Sequence, residues 1–233
     1  MQKQLILDIL GPGVPTLDNY AGDSNAPALH ALRHQTMPGR AIYLWGPPGS
    51  GRTHLLRAVS QAEGCLYLQP RTEQAPGLQA LADAEQQDSR LIAIDDVDTL
   101  DPSQQAALFT LYNQWRQQAG TADGFTLVTA GSQAPRALPL REDIRTRLAW
   151  DLVFRLHLLT DDERASALHA RANSLGLALA PELVAWLLVH HTRDMGQLMA
   201  LIDALNRYSL ERHRAITLPL LKDLLKHHHD QSP

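Results

Sequence analysis

"YLWGPPGSGRTHLLRA", residues 43–58, decides how the chain is read. Its spacing is that of a phosphate-binding loop, G-x-x-x-x-G-[basic]-[ST], with Gly46, Gly51, Arg52 and Thr53 at the four fixed places. The apolar run "AIYLW" leads into it and an apolar-periodic stretch follows, which is the strand–loop–helix context the motif requires. Gly46, Gly49 and Gly51 allow a turn so tight that successive N–H groups, that of Ser50 among them, point into one concavity. A helix beginning at about Gly51 adds its positive end to that cradle. The plain alternative is a Gly-Pro turn that happens to match. Thr53 would offer its hydroxyl to Mg²⁺, and Ser50 and His54 join the loop's candidate nucleotide contacts.

Arg52 occupies the place where such loops carry lysine. Lysine is a compact ammonium that follows a transferring phosphoryl group. Arginine is longer, planar and forked, so it clamps phosphate oxygens without easily reaching the same point. The swap is expected to leave nucleotide affinity partly intact and to remove charge stabilisation where a γ-phosphate departs. That chemistry holds ADP or ATP rather than turning it over quickly.

Two more strands bear on the site. "RLIAIDDVDTL" (90–100) delivers Asp95 and Asp96 to the carboxyl edge of a sheet, where α/β folds bind ligands. Asp95 would hold Mg²⁺ through water and Asp96 would orient or deprotonate an attacking water; the bland reading is a helix cap. "FTLVTAGS" (125–132) ends in small polar residues. There Ser132, with Thr129 as the weaker candidate, either senses the γ-phosphate side or satisfies local backbone.

Around these motifs the apolar runs "AIYLW", "CLYLQ", "RLIAID", "FTLVTA" and "DLVFRL" alternate with stretches of helical period. This predicts βαβ units on a parallel five-stranded sheet buried on both faces. Strand signals stop near residue 158. Four helices follow: "TDDERASALHARANSLG" behind a Thr160 cap, "APELVAWLLVHHT", "DMGQLMALIDALNRYSLERH" and "TLPLLKDLLKHH" behind Thr217. The expected fold is therefore α/β, a phosphate-loop core over 16–158, with an all-helical lid over 159–233. Residues 1–15 read as a short apolar peptide and a Gly/Pro linker.

Composition narrows the function. With 44% hydrophobic and 20% charged residues the chain can bury a core, and a net charge of −4 does not suit a domain whose main task is coating nucleic acid. The single Cys65, in "GCLYLQP", fits a reducing cytoplasm and reads as a packed strand residue. No window approaches the ~20 apolar residues of a membrane span, and no targeting segment is visible. The "HHH" at 227–229 reads as a solvated tail, because adjacent histidines do not easily converge on one ion.

Phosphate loop, Asp-Asp strand, polar-tipped strand, "REDIRTRLAWDLVFRL" and a lid carrying "TRDMGQL" together resemble the AAA+ ATPases of the DnaA branch, over nearly the whole chain. "LDNYAGDSNAPALHALR" (17–33), with Tyr20, is similar to the segment lining the adenine pocket there. The resemblance implies that Arg147, in "TRLAW", is an arginine finger acting across a subunit interface; the alternative is a surface ion pair with Asp143 or Glu142. It implies that Arg193, in "RDM", is a sensor arginine from the lid; the alternative is a cap on the preceding helix. Ser132 departs from the branch, which tends to place an aspartate there.

Within the branch, Arg52, the ending just after the lid and the N-terminal "QLILDI" are similar to regulators that inactivate the initiator DnaA. Such regulators carry ADP, dock on the DNA polymerase sliding clamp, reach DNA through that clamp, and supply their arginine to DnaA; homo-oligomers are also compatible. Gln4, Leu5, Leu7 and Ile9 follow the order of the clamp-docking peptide, in which a polar anchor and spaced aliphatics fill an apolar groove. An extra edge strand or a hydrophobic staple is the alternative for that peptide. The rival function is an autonomous AAA+ ATPase, a loading or remodelling factor. A DNA-binding initiator fits less well, because no basic helix-turn-helix follows Leu225.

Overall fold

All five apolar runs form strands: β1 (Ala41–Trp45), β2 (Cys65–Leu68), β3 (Leu91–Ile94), β4 (Thr126–Gly131) and β5 (Leu152–Arg155). The computed structural model describes residues 14–34, 39–70, 77–85, 87–191 and 193–229, the side chains of 227–229 excepted. The sheet is parallel throughout, in the order β2-β3-β4-β1-β5. After β1 the chain crosses to the far edge and returns through β3 and β4. The loop leaving β1 thus lies beside those leaving its neighbours, with Trp45 in register with Gly131 and Arg155. Sheets of this kind bind ligands at such a reversal of strand order.

Alternate residues of β1 face opposite sides of the sheet, as the period of two requires. Ile42 and Leu44 join Leu29, Leu32, Leu55 and Leu56 from α1 (Ala26–Arg33) and α2 (Arg52–Val59). Tyr43 joins Leu108, Leu111, Tyr112 and Ile144 from α4 (Pro102–Gln118) and α5 (Glu142–Leu148), with Leu78 and Ala82 of α3 (Leu78–Asp83) in the same cluster. The inner strands β1, β3 and β4 are buried on both faces, so near-continuous apolar runs were the correct signal there. The edge strands β2 and β5 are only partly covered, β5 exposing alternate residues. Asp101 caps α4 by accepting from the N–H groups of Ser103 and Gln104, while Gln104 accepts from the N–H of Asp101. Such a capping box stabilises a helix start by about 1 kcal/mol. Cys65 opens β2 half-buried, and burial pushes its thiol up, away from nucleophilic chemistry.

The chain divides into two compact units, with Pro15–Leu158 as one and the residues from Leu159 onward in the other. The second unit has its own core of Leu168, Leu183, Leu187, Leu198, Ile202, Leu205, Leu220 and Leu221. Its helices are α6 (Asp161–Ser174), α7 (Pro181–His190), α8 (Met195–Arg212) and α9 (Leu218–His229), the four read from sequence. Thr160 caps α6 in a capping box with Glu163, and a bidentate Arg171–Asp203 pair at 2.8 and 2.9 Å ties α6 to α8. The peptide carrying Gln4, Leu5, Leu7 and Ile9 lies outside the described residues. Among the described residues no helix is long and apolar enough to cross a membrane.

Candidate functional site

The loop after β1 is shaped by glycines where a side chain could not fit. Gly49 and Gly51 take φ of +82° and +87°, the left-handed region that glycine occupies without strain. A Cβ on Gly46 would stand 2.5 Å from the Leu156 carbonyl oxygen and 2.8 Å from Ser50 Oγ; one on Gly51 would run into the Tyr20 ring. No side chain caps α2, whose N-cap is Gly51, so the first-turn N–H groups stay available to an anion.

Two buried polar atoms at this loop have no hydrogen-bond partner, Ser50 Oγ and Arg52 Nη1. Leaving such groups unpaired costs about 1–3 kcal/mol each. A phosphate would satisfy both, so the residues present fit a bound nucleotide.

The segment before α1 props the loop from behind. Tyr20 donates its hydroxyl to the Ser50 carbonyl at 2.8 Å, and Asn25 Nδ2 donates to that hydroxyl at 2.8 Å. Asn25 is buried and also clasps the chain just after β5, donating to the His157 carbonyl (3.0 Å) and accepting from the His157 N–H (2.8 Å). The His54 imidazole meets the Thr16 carbonyl at 3.0 Å and lies tilted to Tyr20; burial lowers its pKa. The structure thus gathers Tyr20, Ser50, Gly51 and His54 at one place. Sequence reasoning missed Asn25. Its only signal was a short amide before an Ala-Pro helix start, which reads as a routine cap.

Opposite the loop stand the acids that follow β3. Asp95 is fully buried and accepts from Thr53 Oγ1 at 2.6 Å and from the Tyr67 hydroxyl at 3.1 Å. Burial first, and then Asp95, push the Tyr67 hydroxyl up to about 12, so it remains a donor. Thr53 and Asp95 are therefore one hydrogen bond apart, the donor pair that would hold Mg²⁺ directly and through water. Asp96 adopts the left-handed conformation (φ 45°, ψ 46°) and turns its carboxylate toward Arg52, with Nη2 to Oδ1 at 3.8 Å. Its pKa is raised by burial, then by Asp95 and Asp98, against the opposing pull of Arg52.

The two hydroxyls of the third strand part company. Ser132 lies past the end of β4 and donates to Asp98 Oδ2 at 2.9 Å, while its N–H reaches Asp98 Oδ1 at 3.3 Å. Thr129 is fully buried against the Tyr112 hydroxyl at 3.1 Å, so the weaker sensor candidate belongs to the core. Its place inside the strand and facing α4 decided this, not its polarity.

Arg147 has a different setting. In the last turn of α5 its Nε and Nη2 donate to Asn113 Oδ1 at 3.3 and 2.9 Å, and Nη1 donates to the backbone carbonyl of Asp143 at 3.1 Å. The guanidinium carbon lies 3.6 Å from the Phe109 ring centroid and 4.8 Å from that of Trp150. Among the described residues no carboxylate pairs with it, because the Asp143 carboxylate takes Arg141 at 2.7 Å. The ion-pair alternative is therefore not what is found. Trp150 adjoins Asp151, which binds Arg40 and the Ala41 N–H at the start of β1. The phosphate loop leaves the other end of that strand, about 15 Å away along its axis.

Arg193, in the second unit, is 66% exposed and pairs at 3.2 Å with Asp161, which also takes Arg164 at 2.8 Å.

Comparison with known proteins adds the following. Residues 42–155 match the ATPase family associated with various cellular activities (AAA), and residues 161–225 match the family described as Hda, lid domain. An uncharacterized protein of Haemophilus influenzae is 31% identical over 235 residues, covering 97% of this chain and 99% of that protein. Domain III of the Thermotoga maritima replication initiation protein DnaA superposes with a TM-score of 0.69 at 20% identity, covering 93% of this chain and 97% of that one. AMPPCP-bound DnaA from Aquifex aeolicus gives 0.65 at 18% identity, covering 85% and 67%. At these identities the likeness to the two solved structures is one of fold.

Proposed function

The chain belongs to the Hda family of DnaA-homologous AAA+ proteins, and on that premise we propose that it regulates the initiation of chromosome replication by acting on DnaA. It holds ADP at the loop of residues 46–53, docks on the DNA polymerase sliding clamp through Gln4, Leu5, Leu7 and Ile9, and presents Arg147 to the ATP site of a DnaA molecule. DnaA then hydrolyses its ATP, becomes the inactive ADP form and does not initiate again.

The observation that carries this reading is the setting of Arg147. Two aromatic rings and Asn113 fix the direction of its guanidinium, and no carboxylate among the described residues forms an ion pair with it. A finger needs this combination, because a positive charge already oriented requires no reorganisation as charge spreads over a departing phosphoryl group. Its distance from the chain's own loop, at the opposite end of β1, favours action in trans.

On the holding side, Ser50, Arg52 and the uncapped N-terminus of α2 bind, while Thr53 and Asp95 take Mg²⁺. Bound ADP supplies the negative charge these groups lack. Arg193, in the lid, is proposed as a sensor arginine.

Asp96 beside the loop favours a second reading, an autonomous ATPase. On that reading the isolated protein itself turns ATP over vigorously, whereas on the leading reading its own rate is slow and rises in Arg52→Lys. The deciding experiment measures ATP hydrolysis by purified DnaA, with and without this protein and with and without clamp loaded on DNA. Strong acceleration that needs both the protein and the loaded clamp is expected. An unchanged DnaA rate, beside vigorous turnover by this chain alone, would overturn the proposal.

A further inference from the structure

We propose that Asp96 is a positioning residue for Arg52, and that the pair forms a latch across the loop that reserves the site for nucleoside diphosphates over triphosphates. The inference rests on reading the loop as a nucleotide site and adds to it how the two nucleotide states are told apart.

The latch is built from both sides. Arg52 springs from the first residue of α2, and Asp96 from the end of β3, which is separated from β1 by β4. The side chain of Arg52 therefore reaches past the end of β4 to meet its partner. Both side chains are withdrawn from water, at 13% and 27% exposure, and the closest approach is 3.8 Å.

Asp96 is aimed rather than merely present. Its left-handed backbone is held by the Asp95 carboxylate accepting its N–H at 2.9 Å, and by the N–H and hydroxyl of Thr99 donating to its carbonyl at 2.9 and 2.8 Å. Aspartate is among the few non-glycine residues that visit this conformation, and here it directs the carboxylate toward Arg52.

Arg52 is left half-satisfied by that pairing. Nη2 faces Asp96, while Nη1 is buried without a partner. A guanidinium is a fork with fixed tines, so one side can stay on a carboxylate while the other takes a phosphate oxygen. The cation of such loops normally reaches the β- and γ-phosphates. Here it arrives on the γ side tied to a negative charge. A diphosphate uses the free tine and leaves the latch closed. A triphosphate must either pull Arg52 from Asp96 or bring its added charge beside an ionised carboxylate, and both weaken binding.

Calorimetric titration with ADP and with AMPPCP, each with Mg²⁺, tests this on the full chain, its Asp96→Asn variant and its Arg52→Lys variant. Asparagine tolerates the left-handed backbone, so the loop geometry is preserved in Asp96→Asn. Wild type is expected to bind ADP about tenfold or more tighter than AMPPCP, a difference of about 1.4 kcal/mol or more. In Asp96→Asn the ratio is expected to fall toward one, chiefly through tighter AMPPCP binding, with ADP affinity changed less than about threefold. Arg52→Lys is expected to lower the ratio as well, because an ammonium cannot serve both partners. ADP binding with a ratio unchanged in Asp96→Asn would overturn the latch and leave the nucleotide site standing. Binding of neither nucleotide by wild type would remove both.

Discussion

Two arginines, Arg52 at the start of α2 and Arg147 at the end of α5, are both drawn partly out of water, yet they are surrounded by opposite chemistry. Arg52 faces a carboxylate and keeps one buried nitrogen unpaired, so its environment is complete only when an anion enters the loop. Arg147 makes its hydrogen bonds to neutral acceptors and lies against two rings. No carboxylate among the described residues forms an ion pair with it, Asp143 acting on it only at longer range. The first arrangement consumes its charge within the chain. The second keeps its charge for something outside. One chain thereby separates holding a nucleotide from acting on one.

The largest expected effect breaks the second region. Arg147→Ala should remove stimulation of DnaA hydrolysis by about 10³-fold or more, the scale of known arginine fingers. ADP affinity, measured by calorimetry, should stay within about twofold; parallel losses in both would place Arg147 in the chain's own pocket. Gly51→Val breaks the first region. It combines a φ of +87° that β-branched residues avoid with a collision into Tyr20, and about a hundredfold loss of ADP affinity is expected. Retained affinity would mean that the loop conformation is not the binding conformation.

Asn25→Ala sharpens the comparison at one remove. It deletes three hydrogen bonds, to Tyr20 and to the backbone on both sides of His157. Unfolding by urea should show a loss of about 2–3 kcal/mol, and at saturating ADP stimulation of DnaA should be intact. Arg33→Ala is the smallest. Its pair with Asp18 is exposed at 46% and 92%, so a stability change below about 0.5 kcal/mol is expected in the same assay.

The features legible in the sequence were those set by local pattern. Apolar runs gave the five strands, and capping residues such as Thr160 marked helix starts. The glycine spacing gave the loop, and the acids at 95 and 96 came to stand across from it. The features missed all depend on contacts between distant residues. Asn25 meets His157 across 132 residues, and Arg147 meets Asn113 across 34, with Phe109 one helical turn earlier on α4. No periodicity encodes such meetings, because they follow from which helix lies on which face of the sheet. Thr129 and Ser132 show the same limit on a small scale. Both are polar residues near one strand tip, yet burial against Tyr112 assigns one to the core, and Asp98 engages the other.

The division of labour between the two arginines is tested most directly by single-turnover release of labelled phosphate in a mixture of DnaA, this protein and clamp loaded on DNA. With labelled ATP placed on DnaA and unlabelled ADP on this protein, fast release is expected, and it should vanish with Arg147→Ala. With the label placed as ATP on this protein instead, release should be no faster for DnaA's presence. Fast release from this protein, with DnaA's own ATP left intact, would contradict the account.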